Sequence, residues 1–242
     1  LLDMWGRPAG ERAYRLDSGG RRFSAIRVPV TLPLNGVYRM EITYPAGEGQ
    51  RSRELVLASL PAVPDTGPRP SSVFGAAIGG GEYLGTLAQR IGLKWNRCHC
   101  AIGDTQAGAI LPERGRYTWE GIERAREFHS RYGLYACHSI SEGWLAPWLS
   151  SLWKDAPFEE YLEAYVDEYV RPLAEHFKGR ITCWEVTNEP YYQFKDCPEK
   201  WVQLMKATYE TLKQVDPTCT VVGTCGPPGS MGYSWYRRTF SL

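Results

Sequence analysis

From residue 72 onward the sequence alternates between short apolar runs and helix-like stretches. The runs are SVFGAAI (72–78), LKWNRCHC (93–100), LYACHSI (134–140), ITCWEVT (181–187) and CTVVGTC (219–225). Between the third and fourth, Phe158, Tyr161, Leu162, Tyr165, Val166, Tyr169, Val170 and Leu173 recur at i, i+3, i+4 and i+7, which predicts an amphipathic helix. After the fourth, Trp201, Leu204, Met205, Thr208, Tyr209, Leu212 and Val215 repeat the pattern. Buried strands alternating with helices predict a parallel α/β sheet.

The strand ends choose between an open sheet and a barrel. IGGGEYLG, after the first strand, lacks the GxGxxG spacing of a dinucleotide fold. Polar residues instead collect at successive strand ends: Asn96, Arg97 and His99, then His138 and Ser139, then Asn188 and Glu189. Several strands sending functional groups to one rim is the arrangement of a (β/α)8 TIM barrel. A complete barrel takes eight strands and about 250 residues. The expectation is therefore an incomplete barrel of about five βα units over 72–242.

Upstream the periodicity is two. In GVYRMEITY, Tyr38, Met40, Ile42 and Tyr44 alternate with Arg39, Glu41 and Thr43, flanked by RFSAIRVPV and SRELVLASL. This predicts a partial antiparallel β-sandwich module over 1–60. The proline-rich stretch 61–71 reads as a stiff linker. The N-terminus has no basic segment followed by an apolar one, so it is not a signal peptide, and both ends read like the interior of a longer chain. The compartment is left open.

Composition removes several function classes. The 242 residues carry a formal net charge of +1, which offers no field for nucleic acid or an anionic membrane. No apolar run approaches the ~20 residues of a membrane span. The seven cysteines form no CxxC pair, and NRCHCA has no second matching cluster, so no metal site and no disulfide framework is expected. Nine Trp and 15 Tyr suit either a large core or a groove that stacks on sugar faces.

The stretch CWEVTNEPYY (183–192) carries the chemistry. A carboxylic acid at a strand's C-terminal end can protonate a leaving oxygen, provided its surroundings raise its pKa. A neighbouring Asn can bind a sugar hydroxyl as an oxocarbenium ion forms.

WEVTNEP resembles the fourth-strand signature of the clan A retaining glycoside hydrolases, which share a (β/α)8 barrel. The resemblance covers about 72–242. RIGLKWNRCHC, PERGRYTWEGIERA and GLYACHSISEGWLAPWL are similar to further passages of that clan. The flavour is closest to the family 39 β-xylosidase/α-iduronidase group, or to families 5 and 42.

The resemblance implies double-displacement hydrolysis of an O-glycosidic bond. Glu189 is the implied acid/base, and the nucleophile is a Glu on a seventh strand beyond this sequence. Asn188 and Arg97 match clan positions. Asn188, Arg97, His138, Trp148, Tyr191 and His99 are the candidate substrate-binding residues. No cofactor is implied, and the partner is a carbohydrate. Glu185 is expected to pair with an Arg. The alternatives are a transglycosidase or a sugar-binding pseudoenzyme on the same scaffold. The sequence by itself is expected to be inactive, and prone to self-association through open strand edges.

Overall fold

The computed structural model describes residues 1–14, 29–61, 67–98, 105–140, 145–223 and 230–241. The chain divides into two compact units, Leu1–Pro64 and Asp65–Leu242.

Unit 1 is an antiparallel sheet of β1 (Leu2–Asp3), β2 (Gly36–Ala46) and β3 (Gly49–Ser59), in that order. β2 and β3 pair along their whole length, from Gly36↔Ser59 to Ala46↔Gly49, through a two-residue turn. Gly47 opens that turn at φ +63°, a conformation that costs a residue without Cβ little. The expected alternation is present only near the start of β2. Tyr38 is buried and its hydroxyl donates to the Leu34 carbonyl at 2.8 Å, whereas Ile42 and Tyr44 are exposed. Among the described residues the unit is one sheet rather than two layers. The strand expected at 22–30 lies mostly outside them.

Unit 2 holds a parallel five-stranded sheet, strictly in chain order: β4 (Gly75–Ala76), β5 (Trp95–Cys98), β6 (Tyr135–Ile140), β7 (Cys183–Val186) and β8 (Thr220–Val222). Each predicted run contains one of these strands. Parallel neighbours joined through helices are the repeating unit of a (β/α) barrel, and unit 2 is a partial barrel of that kind.

The helices are α1 (Glu82–Arg90), α2 (Ala107–Ile110), α3 (Glu120–Tyr132), α4 (Pro147–Asp155), α5 (Phe158–Ala164), α6 (Arg171–His176), α7 (Pro198–Val215) and α8 (Ser230–Thr239). α4 and α7 each begin with proline, whose missing N–H has no partner to lose there. α3 stops at Gly133, which adopts φ +64°. The Leu134 N–H then reaches the His129 carbonyl at 2.9 Å and the Gly133 N–H reaches Ser130, a Schellman closure. That closure aims the chain into β6.

The predicted helix over 158–173 departs from expectation in one respect. A π-helical turn, Tyr165–Val170, joins α5 to α6. Tyr161, Tyr165, Tyr169 and Leu173 are all fully buried, at a constant spacing of four. In a 3.6-residue helix that spacing drifts around the axis, and one wider turn absorbs the drift. Tyr161 meets Tyr165 with ring centroids 5.8 Å apart, and Tyr165 meets Tyr169 at 5.2 Å. Trp184, Phe177 and Phe194 complete the largest fully buried side chains of this core. No helix among the described residues is long and apolar enough to cross a membrane.

Candidate active site

β5 and β7 bring a charge pair to one face of the sheet. Arg97, near the end of β5, donates through Nε to Glu185 Oε2 at 2.7 Å and through Nη2 to Oε1 at 3.0 Å. Glu185 is 3% exposed, and its guanidinium partner 30%. Both carboxylate oxygens are therefore held in a fork–fork contact, which makes Glu185 a support rather than a nucleophile. Arg97 Nη2 also donates to Asn188 Oδ1 at 2.7 Å. That bond orients the amide, because the guanidinium offers only donors. Asn188 Nδ2 is thereby turned to Glu189, 3.5 Å from Oε2. Glu189 Oε1 accepts from the Tyr191 hydroxyl at 3.1 Å. A continuous polar chain thus runs Glu185–Arg97–Asn188–Glu189–Tyr191.

The backbone delivering these groups is strained. Thr187 has φ +62° and Glu189 φ +49°. Left-handed conformations are rare for non-glycine residues, and rarest for a β-branched one. Each costs about 1–3 kcal/mol, and such residues persist only where their surroundings hold them. The Thr187 N–H donates to the Ile140 carbonyl at 2.7 Å, extending the β6–β7 ladder one residue past the strand. The Trp201 indole N–H donates to Thr187 Oγ1 at 3.0 Å. Strand pairing and an indole thus set the turn that presents Asn188 and Glu189.

The other expected site residues separate. Tyr191 is buried, and burial together with its bonds to Tyr192 and Glu189 pushes its phenol well above the ordinary tyrosine value. Tyr192, its ring 4.4 Å away, is 67% exposed. His99 lies outside the described residues.

His138 stands apart from this chain of hydrogen bonds. It stands on the sheet face that meets α3, fully buried, with its ring 6.0 Å from His129 and 6.1 Å from Trp184. Its register partner is Cys98, so the two share that face. Trp148 stands apart as well. It sits at the start of α4, its indole donates to the Leu111 carbonyl at 3.1 Å, and Arg114 lies 5.4 Å above its ring. These contacts tie Trp148 to the loop after α2 instead of to Glu189.

Cys98, His129 and His138 bring one sulfur and two nitrogen donors within 4.8 Å of one another. His129 is a member of this cluster that sequence reasoning did not single out. Its only sequence signal is its place in the apolar stripe of Ile122, Ala125 and Tyr132 on α3. The chemistry of the cluster is that of a neutral core. Burial pushes the Cys98 thiol up to about 12 and the His129 imidazole down to about 4. His129 Nε2 lies 3.0 Å from Asn96 Nδ2, and Asn96 is oriented by Ile78, whose N–H donates to Oδ1 at 2.9 Å. The imidazole lone pair is therefore already used, and a cation would also have to displace a buried thiol proton.

Known proteins resemble this chain. No family model matches the chain. Endo-1,4-beta-xylanase A of Humicola insolens is 28% identical over 120 residues, which are 45% of this chain and 30% of that protein. Endo-1,4-beta-xylanase B of Thermotoga neapolitana is 30% identical over 86 residues, 33% of this chain and 23% of that protein. Among solved structures, xylanase B from Clostridium stercorarium F9 superposes with a TM-score of 0.53 at 14% identity, covering 69% of this chain and 56% of that one. The fold is shared with the xylanase barrels. A bacterial Ig-like-domain-containing family 10 xylanase from termite gut gives a TM-score of 0.52 at 14% identity, over 86% of this chain and 52% of that one. The chain thus spans about half the length of these solved xylanases. These relatives are xylanases, two of the solved ones from family 10, and the finer expectation of families 39, 5 or 42 finds no support among them.

Proposed function

We propose that this chain belongs to a retaining glycoside hydrolase that cleaves a β-1,4-linked polysaccharide of the xylan type. The observation that carries the proposal is the carboxylate of Glu189, presented just past the C-terminal end of a barrel strand and held by Tyr191 at 3.1 Å. The likeness to endo-1,4-beta-xylanases supports the substrate class.

In this mechanism Glu189 protonates the glycosidic oxygen as the bond breaks. It then acts as a base on the water that releases the sugar from the enzyme. Asn188 Nδ2 is the donor placed beside that carboxylate, and it hydrogen-bonds the hydroxyl next to the reacting carbon, a contact that strengthens in the transition state. Arg97 sets the Asn188 amide and neutralises Glu185. The partner carboxylate comes from a later strand of the barrel and stands about 5–5.5 Å from Glu189 across the scissile bond.

The test is the stereochemistry of the full-length polypeptide acting on xylan oligosaccharides, followed by proton NMR of the anomeric signals. Retention predicts that the first product to appear carries the substrate's β configuration. An α product would contradict double displacement. Sugar binding without turnover would favour a carbohydrate-binding protein on this scaffold.

A further inference from the structure

The segment that carries Glu189 is held at both ends by indole N–H groups. At its start, Trp201 Nε1 donates to Thr187 Oγ1 at 3.0 Å. At its end, Trp235 Nε1 donates to the Phe194 carbonyl at 2.9 Å. Trp201 lies in the first turn of α7 and Trp235 in α8, so two successive helices reach back to one loop. The two indoles pack edge to face with centroids 5.3 Å apart. Thr187, Trp201 and Trp235 are all buried, so water does not compete for these bonds. Of the two left-handed residues, Thr187 is the first anchor and Glu189 lies between the two.

We propose that Trp201 and Trp235 form a clamp that positions the acid/base, with the Thr187 hydroxyl as its acceptor. The proposal rests on the reading of Glu189 as the acid/base, and these residues act through the loop rather than on substrate. Without the Trp201 bond only the Thr187 N–H bond to the Ile140 carbonyl, among the contacts of the described residues, holds the left-handed backbone of Thr187. The turn then relaxes, and Glu189 leaves its place on the glycosidic oxygen. Substrate binding through other groups is untouched, so the effect falls on the transition state.

The experiment compares Thr187→Val, Trp201→Phe, Trp235→Phe and Thr187→Ser with Glu189→Gln in the full-length polypeptide. Aryl glycosides of graded leaving-group ability are the substrates. Thr187→Val keeps the β-branched shape and removes only the acceptor. The account expects kcat to fall about 10–100-fold in Thr187→Val and Trp201→Phe with KM nearly constant. The loss deepens for poorer leaving groups, and the double variant Thr187→Val with Trp201→Phe is no worse than either single one. Thr187→Ser retains the rate. Wild-type kcat in Thr187→Val and Trp201→Phe, beside an impaired Glu189→Gln, overturns the clamp. So do losses that multiply in the double variant. Full activity of Glu189→Gln overturns the acid/base reading instead. A measurement on the unaltered protein guards against variants that fail to fold. Indole N–H exchange by NMR should be slow at Trp201 and Trp235, and fast exchange at either contradicts the clamp.

Discussion

Arg97 shows how one side chain serves stability and chemistry together. Its guanidinium closes a bidentate pair with the buried Glu185 and also orients Asn188. Arg97→Met leaves a buried carboxylate unpaired and is expected to cost about 3–5 kcal/mol in urea unfolding. Replacing both partners, Arg97→Met with Glu185→Leu, should recover most of that stability, because no buried charge is then stranded. Turnover should stay low in the double variant, since Asn188 has lost its orienting donor. Recovery of turnover together with stability would contradict the role given to Arg97. Asp216 supplies a pH test. Its carboxylate accepts the Thr218 hydroxyl at 2.6 Å, then the N–H groups of Gly179 at 3.1 Å and Thr218 at 3.0 Å. These donors hold its pKa below the ordinary aspartate value of 3.8. A lowered folded pKa contributes stability above the unfolded value, and that contribution is lost as pH falls through the folded one. Asp216→Asn should therefore be less stable than wild type at neutral pH, with the gap closing below pH 3.8. A gap constant down to the acid transition would contradict this. That Glu185 pairs with an arginine was legible, because an acid inside a strand needs a basic neighbour, whereas the choice of Arg97 as that arginine was not. The orientation of His138 was not. It follows from the Cys98↔His138 register, and register between distant strands leaves no mark in a single sequence.

At the scale of elements, glycine separates helix propensity from packing. Gly85 lies in α1 and Gly121 in α3. A Cβ at Gly121 would meet nothing within 4 Å, so Gly121→Ala should stabilise, by up to about 1 kcal/mol. A Cβ at Gly85 would lie 2.3 Å from the Tyr132 ring, where α1 packs on α3. Gly85→Ala should therefore destabilise by about 1–3 kcal/mol despite the better helix former. Calorimetry on the pair would contradict this packing if both changes had the same sign. The barrel strands were readable as short apolar runs, and the helical stretches over 158–173 and 201–215 by their 3.6-residue period. The π-helical turn had only a faint trace, the constant four-residue spacing of Tyr161, Tyr165, Tyr169 and Leu173. The indole contacts to the 187–194 segment had none, because they join residues of α7 and α8 to a loop by tertiary packing alone.

For the molecule as a whole, strand order carries the most weight. Five parallel strands in chain order place Arg97 on β5 two strands from β7, which carries Glu185 and leads into the Thr187–Glu189 turn, and this brings a dispersed set of polar residues into one chain of hydrogen bonds. Among the described residues β4 and β8 are each paired on one side only, and Val73 and Phe74 next to β4 are 90% and 67% exposed. Open edges beside apolar side chains invite pairing with other chains. The 242-residue chain by itself should thus associate with rising concentration in sedimentation velocity, and a single monomer boundary at all concentrations would contradict this. The most direct test of the central claim is a Glu189→Gln variant of the full-length polypeptide, assayed beside wild type on aryl glycosides of graded leaving-group ability. The account predicts a loss of about 10²–10⁴-fold on substrates whose leaving group needs a proton, shrinking as the leaving group improves. Equal rates for the two proteins across the series would show that Glu189 is not the acid/base.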